Sequence, residues 1–204
     1  MSHGLSMTDQ TPLLLVVALA VVLLVGLRRM DAGRLLAISV FTVYLVGVAS
    51  FTLLPLAFDP ELARQVGPID IARLINLRPW FLGGYFMPPD QAVLNVLLTV
   101  PFGFGLPFVA PVGWRAVIVA GFLFTVGIEL AQLLLDALYL ALPTWSVDTN
   151  DVILNSTGVV IGYGAFVAAA LAYRSLAKRA PGVRGAAWTH FHDTLVRGLG
   201  QDRH

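Results

Sequence analysis

The chain has 204 residues, 57% of them apolar and only 12% charged, against roughly 45–50% and about 25% in soluble domains. An ordinary water-soluble domain is excluded. Thirteen Lys and Arg against twelve Asp and Glu leave no basic footprint for nucleic acid, and the lack of cysteine excludes disulfides, thiolate metal sites and cysteine nucleophiles.

In chain order, the apolar stretches predict an all-α integral membrane protein, a bundle of about five transmembrane helices near 12–27, 35–58, 92–112, 116–142 and 152–173. A spanning helix needs about 20 mostly apolar residues, in a range of roughly 17–25. The last four stretches meet that length; the first is short, and its start is expected at Pro12 with Thr11 as N-cap. Arg28 and Arg29 follow it instead of preceding it, the reverse of a cleaved signal peptide, so it is read as a retained helix. Between the second and third spans runs a segment, 59–91, in which apolar residues are interleaved with Asp70, Arg73 and Arg78 and are followed by Trp80, Phe81, Tyr85 and Phe86. Its composition suits the membrane interface. An interfacial anchor is the favoured reading, and a lid or substrate platform is the other. Residues 1–173 thus make the transmembrane domain and 174–204 a basic tail. There Trp188, Phe191, Leu195 and Leu199 recur at helical spacing, which predicts an amphipathic helix lying on the surface. His190 and His192 belong to this tail and none of the spans contains a histidine, which disfavours a buried histidine-ligated metal.

Orientation follows from the basic residues. Five spans put Arg28, Arg29, Arg34, Arg115, Arg174, Lys178, Arg179, Arg184, Arg197 and Arg203 on one side, and Arg64, Arg73 and Arg78 on the other. The positive-inside rule then predicts an outside N-terminus and a cytoplasmic C-terminus for a multi-pass protein of the plasma membrane.

The polar residues within the spans carry the functional signal. Glu129, Gln132 and Asp136 occur at i, i+3 and i+7 in the fourth span, on one face of a helix. Asp148, Asp151 and Asn155 repeat the interval at the start of the fifth, and Asn95 lies near the start of the third. With about 1.5 Å of rise per residue, Glu129 is roughly 20 Å from Arg115 and Asp136 about 10 Å further outward. All seven are therefore expected between the bilayer centre and its outer surface. An ionisable group at mid-membrane costs at least about 2.5 kcal/mol on insertion scales, so it faces a polar interior instead of lipid. No basic residue lies within a span, which leaves Glu129 protonated, hydrogen-bonded to Gln132 and the asparagines, or bound to a cation. A clamp holding three helices together competes with a pocket; each such hydrogen bond is worth about 0.6 kcal/mol. No cofactor is predicted, and a divalent cation on Glu129, Asp148 and Asp151 stays open. Pro101, Gly103, Gly105 and Pro107 are expected to interrupt the third span and Pro55 to bend the second. Gly158 and Gly162 form a small-xxx-small pair suited to close helix packing.

Four segments resemble the VanZ-like family of small membrane proteins: Asn76 to Pro79 (NLRP), Asn95 to Gly103 (NVLLTVPFG), Glu129 to Gln132 (ELAQ) and Asp148 to Gly158 (DTNDVILNSTG). They stand in the family's order over roughly residues 35–170. The family usually carries an Arg before the second acidic cluster where this chain has Trp145; protonation, a cation or another arginine such as Arg78 must then neutralise the carboxylates. The resemblance implies an envelope role that lowers the effect of teicoplanin-type antibiotics, and it supplies no mechanism. The first expectation is a protein not demonstrably enzymatic, whose outward-opening pocket of Asn95, Glu129, Gln132, Asp136, Asp148, Asp151 and Asn155 binds a membrane lipid, a lipid-linked wall precursor or a lipoglycopeptide. The second is an intramembrane enzyme with Glu129 or Asp151 as acid-base group on a lipid-linked substrate. The third is an ion-coupled transporter, for which five spans without a repeat would need a homo-oligomer.

Overall fold

The computed structural model describes residues 7–26, 30–54, 75–83, 87–138, 147–177 and 186–197. Pro55, Trp145, most of the 59–91 segment and much of the basic tail lie outside the described residues. The helices are α1 (Met7–Gly26), α2 (Ala32–Leu53), α3 (Pro89–Val109), α4 (Trp114–Ala137), α5 (Thr149–Ala177) and α6 (Ala186–Arg197). Two short strands, β1 (Ile75–Asn76) and β2 (Val147–Asp148), pair in parallel. By length and composition α2, α3, α4 and α5 are each able to cross a membrane, and α1 contributes a shorter apolar stretch, Gln10–Gly26. The protein is of the membrane type.

Each long helix begins two or three residues before its apolar run, because polar and proline residues that the hydropathy pattern passes over make the first turns. Asp31, in extended conformation, accepts the Arg34 N–H at 2.9 Å, the geometry of an N-cap. That bond holds the Asp31 carboxyl below its usual range. At the other end of α2 the helix stops at Leu53, and Leu54 is extended, as the residue before a proline must be. The start of α1 departs from expectation: the helix runs from Met7 through Pro12, so Thr11 is an early helical residue and not its cap. A proline there forfeits one hydrogen bond near a terminus instead of mid-helix. Pro101 and Pro107 likewise lie inside an uninterrupted α3, which the neighbouring helices hold in place.

The tightest contact is between α3 and α5. A Cβ at Gly158 would collide with Val96 O and Thr99 Oγ1, one at Gly162 with Val100 O, and one at Gly103 with Val159 O. Glycines on both helices thus let the two backbones touch, which side chains would forbid. Thr99 Oγ1 uses this closeness to donate to Asn155 O at 2.7 Å. The core beside the contact contains Phe102, Val117, Val159, Tyr163 and Phe166. Phe102 stacks on Phe124 of α4 at 4.6 Å and is tilted against Phe41 of α2 at 5.6 Å. Tyr44 of α2 donates to Leu98 O of α3 at 2.8 Å.

The tail helix α6 folds back on the bundle. Phe191 packs on Phe108 at 5.8 Å and Leu195 joins the core, so this apolar face is covered by protein and not by lipid alone. Trp188, edge-on to Tyr173 at 6.2 Å, stays about half exposed. His190 Nε2 lies 2.8 Å from Phe108 O; a carbonyl only accepts, so Nε2 carries the proton and satisfies one of the last carbonyls of α3.

Candidate functional site

At the opposite end of the bundle the C-terminal half of α4 meets the starts of α3 and α5. The residue preceding α5, Asp148, organises this end. Its Oδ1 accepts the Asn150 N–H at 2.8 Å, which caps the helix. Its Oδ2 accepts from Asn76 Nδ2 at 3.2 Å, and its own N–H donates to Glu129 Oε2 at 3.1 Å. Glu129 is only 3% exposed and Asp148 7%. One buried carboxylate of α4 thereby holds the turn into α5, and that turn holds a third segment.

The third segment is Ile75–Gly83. Pairing of Ile75 with Val147 and of Asn76 with Asp148 brings it against the start of α5. Thr149 Oγ1 donates to Asn76 O at 3.0 Å, and the Trp80 N–H donates to Asn150 Oδ1 at 2.9 Å. Asn76 Oδ1 accepts the Arg78 N–H at 3.1 Å, which folds the NLRP turn on itself. Residues 75–83 are therefore pinned to the polar cluster by their backbone and by the Asn76 amide, while Leu77, Trp80, Phe81 and Leu82 project their apolar side chains outward. Gly83 ends the turn in the left-handed conformation, φ 84°, which glycine adopts without a Cβ penalty.

Beside this network Asn95 Nδ2 donates to Asp151 Oδ1 across the α3–α5 contact, and also lies 3.8 Å from Met87 Sδ. One turn deeper, Asn155 is 4% exposed, and its Oδ1 has no hydrogen-bond partner among the described residues. Gln132 turns elsewhere: its Nε2 donates to Thr52 O of α2 at 3.1 Å, so it ties α4 to α2. Asp136 is fully buried near the end of α4.

Of the seven residues singled out in the sequence, Glu129 and Asp148 are bonded directly, as are Asn95 and Asp151, and Asn155 lies on the Asp151 face of α5. Gln132 is engaged with α2. Among the described residues no three His, Asp or Glu side chains gather at metal-ligand spacing. Arg78 is exposed, and its N–H, not its guanidinium, ties it to the site. Sequence reasoning omitted Asn76, Trp80, Thr149 and Asn150 from the site. The signal was present, since NLRP and DTND are both family segments, but the pairing of these two distant segments has no periodicity to reveal it.

The VanZ/LLP1 family model matches residues 41–172. The chain belongs to the VanZ-like family. The match spans α3, α4, the β1–β2 pairing and most of α5, and so contains every residue of the polar end. No curated protein and no solved structure matches the chain.

Proposed function

We propose that this VanZ-like protein acts at the outer leaflet of the plasma membrane, where its polar end binds an envelope lipid, a lipid-linked wall precursor or a lipophilic glycopeptide and thereby lowers the effect of teicoplanin-type antibiotics. The observation that carries the reading is the chain of contacts Glu129–Asp148–Asn76, with the Trp80 N–H bonded to Asn150. It combines buried acceptors with an exposed aromatic turn, 48% for Trp80 and 57% for Phe81. Trp and other aromatic residues favour the level of the lipid headgroups, and Trp80 is bonded to the second residue of α5, where that spanning helix begins. A molecule with an acyl chain and a polar head would meet both surfaces at once. The excess of Lys and Arg near the other end supports a polar end that faces outward, where glycopeptides meet wall precursors.

The test uses Glu129→Gln and Asp151→Asn in cells that express each variant at the parental level. Resistance to teicoplanin, and the dependence of antibiotic binding on expression, are expected to fall in both. Full resistance in both variants would remove the site from the function.

A further inference from the structure

Resting on that reading, the site's donor and acceptor inventory narrows its ligand. We propose that the site takes an amphiphile with a primary ammonium head, and rejects one whose head is anionic or a trimethylated ammonium. Both oxygens of Asp148 are occupied by Asn150 and Asn76, which makes that carboxylate structural. Glu129 and Asp151 each engage one oxygen, with the Asp148 N–H and with Asn95. A carboxylate has about four acceptor sites and no donor, so both keep acceptor capacity after the protein's bonds are made.

The independent observation is Asn155. It lies four residues after Asp151 on the same helix face, 4% exposed, with Oδ1 unpaired among the described residues. Its position is locked by Thr99, which donates to its carbonyl at 2.7 Å. A buried acceptor without a donor costs about 1–3 kcal/mol. An arriving donor removes that cost. Glu129 on α4 and Asp151 and Asn155 on α5 together offer three acceptors, as many as an ammonium has N–H groups. A phosphate or carboxylate would bring only further acceptors, and a trimethylated head has no N–H. The tail of such a molecule would lie against Trp80, Phe81 and Leu82, at the level where α5 enters the bilayer.

The full chain in dodecyl maltoside micelles is titrated with dodecylamine, an ethanolamine phospholipid, its choline counterpart and phosphatidylglycerol, and thermal stability is followed by tryptophan fluorescence. Dodecylamine and the ethanolamine lipid are expected to raise the Tm, with half-saturation at least about tenfold below the other two, as loss of one charge-assisted hydrogen bond implies. Response to the ethanolamine lipid alone assigns the ammonium to a membrane headgroup; response to dodecylamine alone assigns it to a lipophilic amine of another origin. Asn155→Leu removes the unpaired acceptor and keeps the branched outline of the side chain. That variant is expected to fold at least as stably and to lose about tenfold in amine preference. Equal binding of the choline lipid, tighter binding of phosphatidylglycerol, or an undiminished preference in Asn155→Leu would overturn the proposal. Resistance lost in Glu129→Gln without any amine preference would refute this ligand class and leave the envelope role standing.

Discussion

The two ends of the bundle face the same physical problem and meet it with different chemistry. Each must satisfy the unpaired carbonyls or N–H groups at its helix termini. At the end where α2 starts and α3 and α5 finish, a separate amphipathic helix does so, through His190 on Phe108 O, the 2.7 Å contact between Tyr173 Oη and His192 Nδ1, and the packing of Phe191 on Phe108. At the other end, Asp148, Asn150, Asn76 and Glu129 meet in a network with acceptors to spare. Neutral packing serves to close an end. Carboxylates buried in a membrane protein are costly to keep, and this end retains Glu129 and Asp148 among them.

The largest effect is expected from the contact that spaces the ends apart. Gly162→Leu would force a side chain against the Val100 backbone of α3, where neither helix can yield; a loss of about 3 kcal/mol, read as a lower Tm in detergent and poor accumulation, would disorder both ends together. Retention of the parental Tm would show that α3 and α5 are not in backbone contact.

Next in size is Asp148→Ala. It removes the cap of α5 and leaves the Asn76 amide and the Asn150 N–H without their acceptor, a cost of about 2–3 kcal/mol. Proteolysis of the 75–83 segment should accelerate in this variant while protection of α6 stays parental. Equal deprotection of α6 would mean that the two ends are not independent.

His190→Ala breaks the corresponding tie at the other end, a loss of about 1 kcal/mol, measurable as faster hydrogen exchange in α6. Under the proposed envelope role, teicoplanin resistance should be unchanged. A loss of resistance as large as that of Asp151→Asn would erase the functional distinction between the ends.

The smallest effect belongs to the cap of α2. Asp31→Ala should cost about 0.5 kcal/mol, since the carboxyl is well exposed and screened. The Arg34 N–H lowers the folded pKa of Asp31, so its contribution is full above the unfolded carboxyl pKa and is lost as pH falls through the lowered folded value. The stability difference between parent and variant should therefore vanish in acid. A difference that grows on acidification would contradict the cap.

Much of this was legible in the residue order. Length and hydropathy reveal spanning helices because a bilayer accepts only segments that satisfy their own backbone hydrogen bonds. The i, i+3, i+7 spacing of Glu129, Gln132 and Asp136 reveals a shared helix face. The limits of local reasoning show in Gln132: helical spacing gives a direction relative to Glu129 but not which neighbour stands there, and the neighbour is Thr52 O of α2. They show again in Asn76, whose partner Asp148 is 72 residues away, and in α6, whose apolar face predicts burial without saying whether lipid or protein covers it.

The residue order by itself determined a membrane-type helical chain with acids and amides gathered toward one end of its helices, because periodicity and hydropathy are properties of a segment and its solvent. Tertiary structure alone decided which acid meets which amide: a hydrogen bond depends on the separation of two atoms in space, and Gly103, Gly158 and Gly162 set that separation by letting α3 and α5 touch.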